Sequence, residues 1–63
     1  MKRFVYYWTD GRDWGMDYWN APNFRTAKTQ IFKAYKTELK EIKGFQILFI
    51  AEIKYEEEQM FEW

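Results

Sequence analysis

Cysteine, histidine and serine are absent from this chain of 63 residues, and each absence removes a kind of chemistry. Without Cys there is no disulfide, and without Cys or His the usual structural zinc ligand sets cannot be assembled. The Ser–His and Cys–His nucleophile pairs go with them. Three scattered Gly leave no glycine-rich phosphate loop. Asp10, Asp13 and Asp17 lie close in sequence but lack the spacing, the glycine and the terminal Glu of a calcium loop. Paired carboxylates for glycoside cleavage need a walled cleft that so short a chain hardly provides. Neither an enzyme, a metal site nor a cofactor is therefore expected. Uninterrupted apolar runs are short, Ile47 to Ala51 being one, against the roughly 20 residues that a membrane-spanning helix needs, so no membrane partner is expected. Met1-Lys2-Arg3-Phe4-Val5 opens basic then apolar, as a signal peptide does. The run gives way to Thr9-Asp10-Gly11-Arg12-Asp13 with no small-residue cleavage site, and reads instead as a first strand. A chain without Cys is compatible with the cytoplasm, which is the expected location.

What the chain has in excess is aromatic residues, 24% of the total, four of them Trp. A chain near the lower size limit for unstapled folding can enclose few such rings in one core, although each buried ring removes roughly 150–250 Å² from water. Some should face outward, which points to a recognition surface. Charge is balanced overall but divided along the chain. Residues 1 to 43 carry nine Lys/Arg against five Asp/Glu, a net of +4, and residues 44 to 63 carry one Lys against five Glu, a net of −4. No internal repeat, linker or low-complexity tract separates the halves, so residues 1 to 63 read as one domain.

Phe4, Tyr6 and Trp8 alternate with Arg3, Val5, Tyr7 and Thr9, a period of two that predicts a strand. Asp10-Gly11 is a favoured turn pair, and Trp14, Met16 and Tyr18 then alternate with Gly15, Asp17 and Trp19. The pattern predicts a hairpin, residues 2 to 9 against about 13 to 19, with Gly15 marking a bulge or a close backbone approach. After Asn20-Ala21-Pro22-Asn23, with either Asn placed to cap a helix, residues 24 to 43 form one long amphipathic helix. Phe24, Ala27, Ile31, Ala34, Tyr35, Leu39 and Ile42 share one arc, and Arg25, Lys33, Lys36, Lys40 and Lys43 the neighbouring one. Lys28 and Glu38 fall in the apolar arc, where Lys28 can snorkel and Glu38 fits least well. Gly44 supplies the stop. A third strand spans residues 45 to 56, with Phe45, Ile47, Phe49, Ala51, Ile53 and Tyr55 as its core face. The predicted fold is a small ββαβ, α+β domain: a three-stranded antiparallel sheet with strand one in the centre and the helix on one face. Residues 57 to 63 form a tail of uncertain placement.

The uncovered sheet face is then expected to carry Val5, Tyr7, Trp19, Leu48 and Ile50, which is too apolar for indifferent contact with water. Three readings stand: the tail folds over it, a protein partner or a second copy covers it, or its rings stack on bases. The basic stripe Arg25, Lys33, Lys36, Lys40 and Lys43 is either a solvated helix face or a track for phosphates. A pI near 6.2 weighs against a dedicated nucleic-acid binder. Glu56, Glu57 and Glu58 either keep the end of the chain solvated or steer a partner onto the anchors Met60, Phe61 and Trp63.

The abundance of Lys, Ile, Phe and Tyr in a small stapleless domain resembles the accessory proteins of bacteriophages that infect low-GC bacteria. That resemblance implies an inhibitor or modulator of a host protein, working in the host cytoplasm. The sequence reading is thus a non-enzymatic protein-binding module with Tyr7, Trp19, Leu48, Ile50, Glu56, Glu57, Glu58, Met60, Phe61 and Trp63 at its contact surface. A single-stranded nucleic-acid binder using sheet aromatics and the basic helix is the alternative, and a homodimerising structural subunit the third.

Overall fold

The computed structural model describes residues 1–54. Its elements follow the expected order: β1 (Lys2–Thr9), β2 (Trp14–Ala21), α1 (Phe24–Ala34), α2 (Lys36–Glu41) and β3 (Gln46–Ile53). The strands form one antiparallel sheet ordered β2-β1-β3, and the helices pack on one of its faces, an α+β arrangement. β1 takes the centre, paired along both of its backbone edges.

The hairpin turn is built by Asp10. Its Oδ1 accepts from the amides of Arg12 at 2.9 Å and Asp13 at 2.8 Å, and Gly11 takes a φ of +94° that other residues rarely adopt. Thr9 Oγ1 donates to the Asp13 carbonyl at 2.7 Å and closes the loop. The connection therefore holds four residues, 10 to 13, and Thr9 pairs with Trp14. A second strand beginning at 13, as the sequence reading has it, would pair odd with odd positions. The observed register pairs odd with even, and a one-residue slip exchanges every side chain between faces.

Asn23 is the helix cap, its Oδ1 accepting from the Thr26 amide at 2.8 Å. The expected single helix over 24 to 43 is instead two segments that meet at Tyr35, whose φ of −103° and ψ of 20° leave the helical range. That residue is held from two sides. Its hydroxyl bonds the Tyr6 hydroxyl at 2.8 Å, and its ring stacks on Phe45 with centroids 5.8 Å apart. Gly44, at φ +91°, then turns the chain beside Asp10 and Gly11 of the hairpin loop.

The core lies between the helices and the Phe4-Tyr6-Trp8 face of β1. Phe4, Ala21, Ala27 and Ile31 are fully buried and Tyr6 nearly so, with Trp19 and Ile50 packed against the cluster. The rings form a continuous series: Trp19 meets Tyr6 edge-on, Tyr6 meets Tyr35, Tyr35 stacks on Phe45, and Phe45 stacks on Trp8. The far end of the series rests on Gly15, where even a methyl group would overlap the Trp8 indole. Gly15 thus marks a close approach, one of the two alternatives that its place in the strand suggests. Of the predicted apolar arc of the helix, Ala27 and Ile31 are buried and Tyr35 and Leu39 half-buried. Phe24, Ala34 and Ile42 are exposed.

Candidate functional site: the outward sheet face

Across a paired sheet, residues in register share a face. Trp14 pairs with Thr9, Met16 with Tyr7 and Tyr18 with Val5, while on the other side of β1, Phe49 also pairs with Tyr7 and Ala51 with Val5. All lie opposite the Phe4-Tyr6-Trp8 face, and therefore away from the helices. Trp14 is 67% exposed, Phe49 53%, Met16 45% and Tyr18 41%. Ordinary surface positions do not gather so many large apolar side chains.

The rings form a row across all three strands. Tyr7 sits in the middle, its centroid 6.0 Å from that of Trp14 and 5.8 Å from that of Phe49. Beside them the Arg3 guanidinium lies over the Tyr18 ring, 4.4 Å from its centroid, a cation–π contact that anchors that ring. Arg3 is the one charged side chain among the paired strand residues of this face. Almost uncharged, the surface offers ring and apolar contact. Among the described residues no group of three Asp or Glu is placed to hold a metal ion, and no helix is long and apolar enough to cross a membrane. The Tyr6 phenol lies on the other face, where burial and then the Tyr35 hydroxyl raise its pKa.

Of the residues expected on this surface, Tyr7 is there, at its centre. Trp19 and Ile50 are not. Trp19 pairs with Phe4 and Ile50 with Tyr6, so both face the helices, and the Trp19 indole donates to Gln30 Oε1 of α1 at 2.8 Å. The hairpin register moved Trp19. A bulge moved Ile50: Trp8 pairs with Ile47 but Tyr7 with Phe49, so β3 carries an extra residue between them and its inward set changes parity. Phe45 and Ile47 lie on the helix side as expected, but Phe49, Ala51 and Ile53 face outward. Leu48, the extra residue, is 53% exposed and lines a cleft between β3 and α1. Trp14, Met16, Tyr18 and Phe49 were missed. An even number of loop residues after Thr9, fixed by Asp10 accepting from the Arg12 and Asp13 amides, is what places three of them.

Arg25, Lys33, Lys36 and Lys40 are exposed on α1 and α2, on the opposite side of the sheet from the aromatic row, whereas Lys43, expected on the same helix, is exposed in the turn between α2 and β3. Glu56, Glu57, Glu58, Met60, Phe61 and Trp63 lie outside the described residues, as does the end of the expected strand at 55 and 56. No family model, curated protein or solved structure matches the chain.

Proposed function

We propose that the protein is a non-enzymatic binding module whose outward sheet face, centred on Tyr7, Trp14 and Phe49, docks on an apolar surface of a partner protein. The observation that carries this reading is the separation of the aromatic row from the basic stripe, Arg3 being the one cation among the paired strand residues of the ring face. A single-stranded nucleic-acid reader needs bases on its rings and phosphates on its basic groups at once, yet here the rings and the basic stripe are on opposite sides of the sheet. A protein partner needs only the rings, because Trp and Tyr on a flat face are common hot-spot anchors. The action is stoichiometric occupation of the partner's surface, with the acidic end of the chain steering the encounter.

The test is a capture experiment run in parallel with the unaltered protein and the Trp14→Ala/Phe49→Ala double variant, with circular dichroism to establish that both fold. The reading requires a protein retained at fixed stoichiometry by the first and lost with the second. Titration with a labelled oligothymidylate decides the alternative. Affinity that falls steeply with salt, and that disappears on neutralising Lys33, Lys36 and Lys40, would replace this reading with the nucleic-acid one.

A further inference from the structure

The outward face supplies hydrogen-bond donors ahead of acceptors. The Trp14 indole N–H donates only, and near it stand the Tyr7 and Tyr18 hydroxyls, which donate as well as accept. Among the described residues nothing accepts from any of the three. The paired strand residues of this face include no carboxylate, since Asp17 pairs with Tyr6 and Glu52 with Phe4 and both are on the helix side. The Thr9 hydroxyl is taken, donating to the Asp13 carbonyl and accepting from the Gly11 amide, and the Asn20 and Gln46 amides stand at opposite ends of the face. The backbone of β1 is paired with β2 on one side and β3 on the other, so the centre offers no main-chain acceptor. A partner that covers the rings buries these donors, and a buried donor without an acceptor loses its hydration with nothing in return.

We propose that the part of the partner received by this face is a proline-rich segment in the polyproline II conformation, an inference that rests on the docking reading and names the chemistry of its partner. A prolyl residue has a carbonyl but no N–H, so the segment brings acceptors to Trp14, Tyr7 and Tyr18 and no donor that needs one. Its backbone makes no internal hydrogen bonds, which leaves those carbonyls available. A helix laid on the same rings has already spent its carbonyls along its own axis. An added strand needs an open sheet edge, which the centre of the face lacks. Pyrrolidine rings are apolar and pack on aromatic ones, the mode by which aromatic-lined surfaces take polyproline II. Length agrees as well: the first and fourth residues of such a segment are about 9 Å apart, and the centroids step by 6.0 Å from Trp14 to Tyr7 and by 5.8 Å from Tyr7 to Phe49. A stretch of about four to five residues therefore crosses the row.

Titration of the isotope-labelled full chain with a deca-proline peptide, followed by proton–nitrogen correlation spectra, tests this directly. The Trp14 indole resonance should shift and saturate with a dissociation constant between about 10 μM and 1 mM, while that of Trp19, which donates to Gln30 Oε1 on the helix side, stays in place. Trp14→Ala, read at the Tyr7 amide, should weaken binding about 10-fold or more with the circular dichroism spectrum unchanged, and the parent titration decides alone if that variant fails to fold. No shift at Trp14 up to about 5 mM peptide would overturn the proposal. So would a shift at Trp19 in place of Trp14, or equal affinity for a Gly-Ser peptide of the same length. If the peptide stays unbound while a captured protein is still held by the parent and lost with Trp14→Ala/Phe49→Ala, the docking reading stands and this inference alone falls.

Discussion

Replacing Ile31 by Ala should bring the domain close to its stability limit. The side chain is fully buried in α1, and truncation removes three carbons, worth about 0.8 kcal/mol each in transfer alone. A residual cavity adds to this, since rings pinned by stacking and by the Tyr6–Tyr35 bond relax only in part. The total should fall in the range of roughly 2–5 kcal/mol, lessened by a few tenths because Ala is the better helix former. A chain of this length holds about 3–9 kcal/mol in all, so the loss is a large share. At about 4–8 °C per kcal/mol for small domains, a 3 kcal/mol cost lowers Tm by about 12–24 °C. Thermal and urea unfolding followed by circular dichroism measure it, with exposed Lys33→Ala expected within about 0.5 kcal/mol of the parent. If Ile31→Ala unfolds with the parent, or Lys33→Ala costs as much, the helix does not meet the sheet through Ile31 and the packing argument fails.

Three further outcomes follow from the geometry. Gly15→Ala should cost about 1–3 kcal/mol, because its methyl displaces the Trp8 indole and with it the stack on Phe45. In a double-mutant cycle with Trp8→Leu the two costs should be clearly non-additive. Tyr6 has a raised pKa through burial and then the Tyr35 hydrogen bond, so its contribution is complete below about pH 10, the ordinary phenol value, and is lost as pH rises further; Tyr6→Phe should flatten that alkaline decline in denaturant titrations. Asp10 has a pKa lowered by the Asp13 amide and then the Arg12 amide, so its hold on the turn is present above the ordinary carboxyl value near 4 and fades as pH falls through the depressed one. The Arg12 and Asp13 amide resonances should shift over that acid range in the parent and not in Asp10→Asn.

The order of the elements was legible because each carries its own local signal: alternation in residues 3 to 9, the Asn23 cap, the apolar arc through Ala27 and Ile31, and Gly44. The face on which β2 and β3 present their side chains was not, because parity is set by features outside the strands themselves. In β2 it depends on whether the turn closes at Arg12 or Asp13, which Asp10 decides by accepting from both amides. In β3 it depends on a bulge at Leu48 that no residue type announces, since a run of Ile, Leu, Phe and Ile is apolar on either face. Tyr7 was placed correctly because β1 is the central strand and its alternation is unambiguous. The helix break at Tyr35 escaped notice for a related reason: it falls at a residue held by contacts with Tyr6 and Phe45, distant in sequence, and neither Gly nor Pro marks it.

Hydroxyl-radical footprinting of the full chain, first dilute and alone and then with a captured partner, tests the central claim most directly. In the free protein, Tyr7, Trp14, Met16 and Phe49 should be oxidised readily while Phe4 and Tyr6 are protected, and the partner should suppress oxidation of the outward set. Protection of Trp14 and Met16 in the dilute, partner-free chain would show that the protein covers this face itself, and would contradict the account.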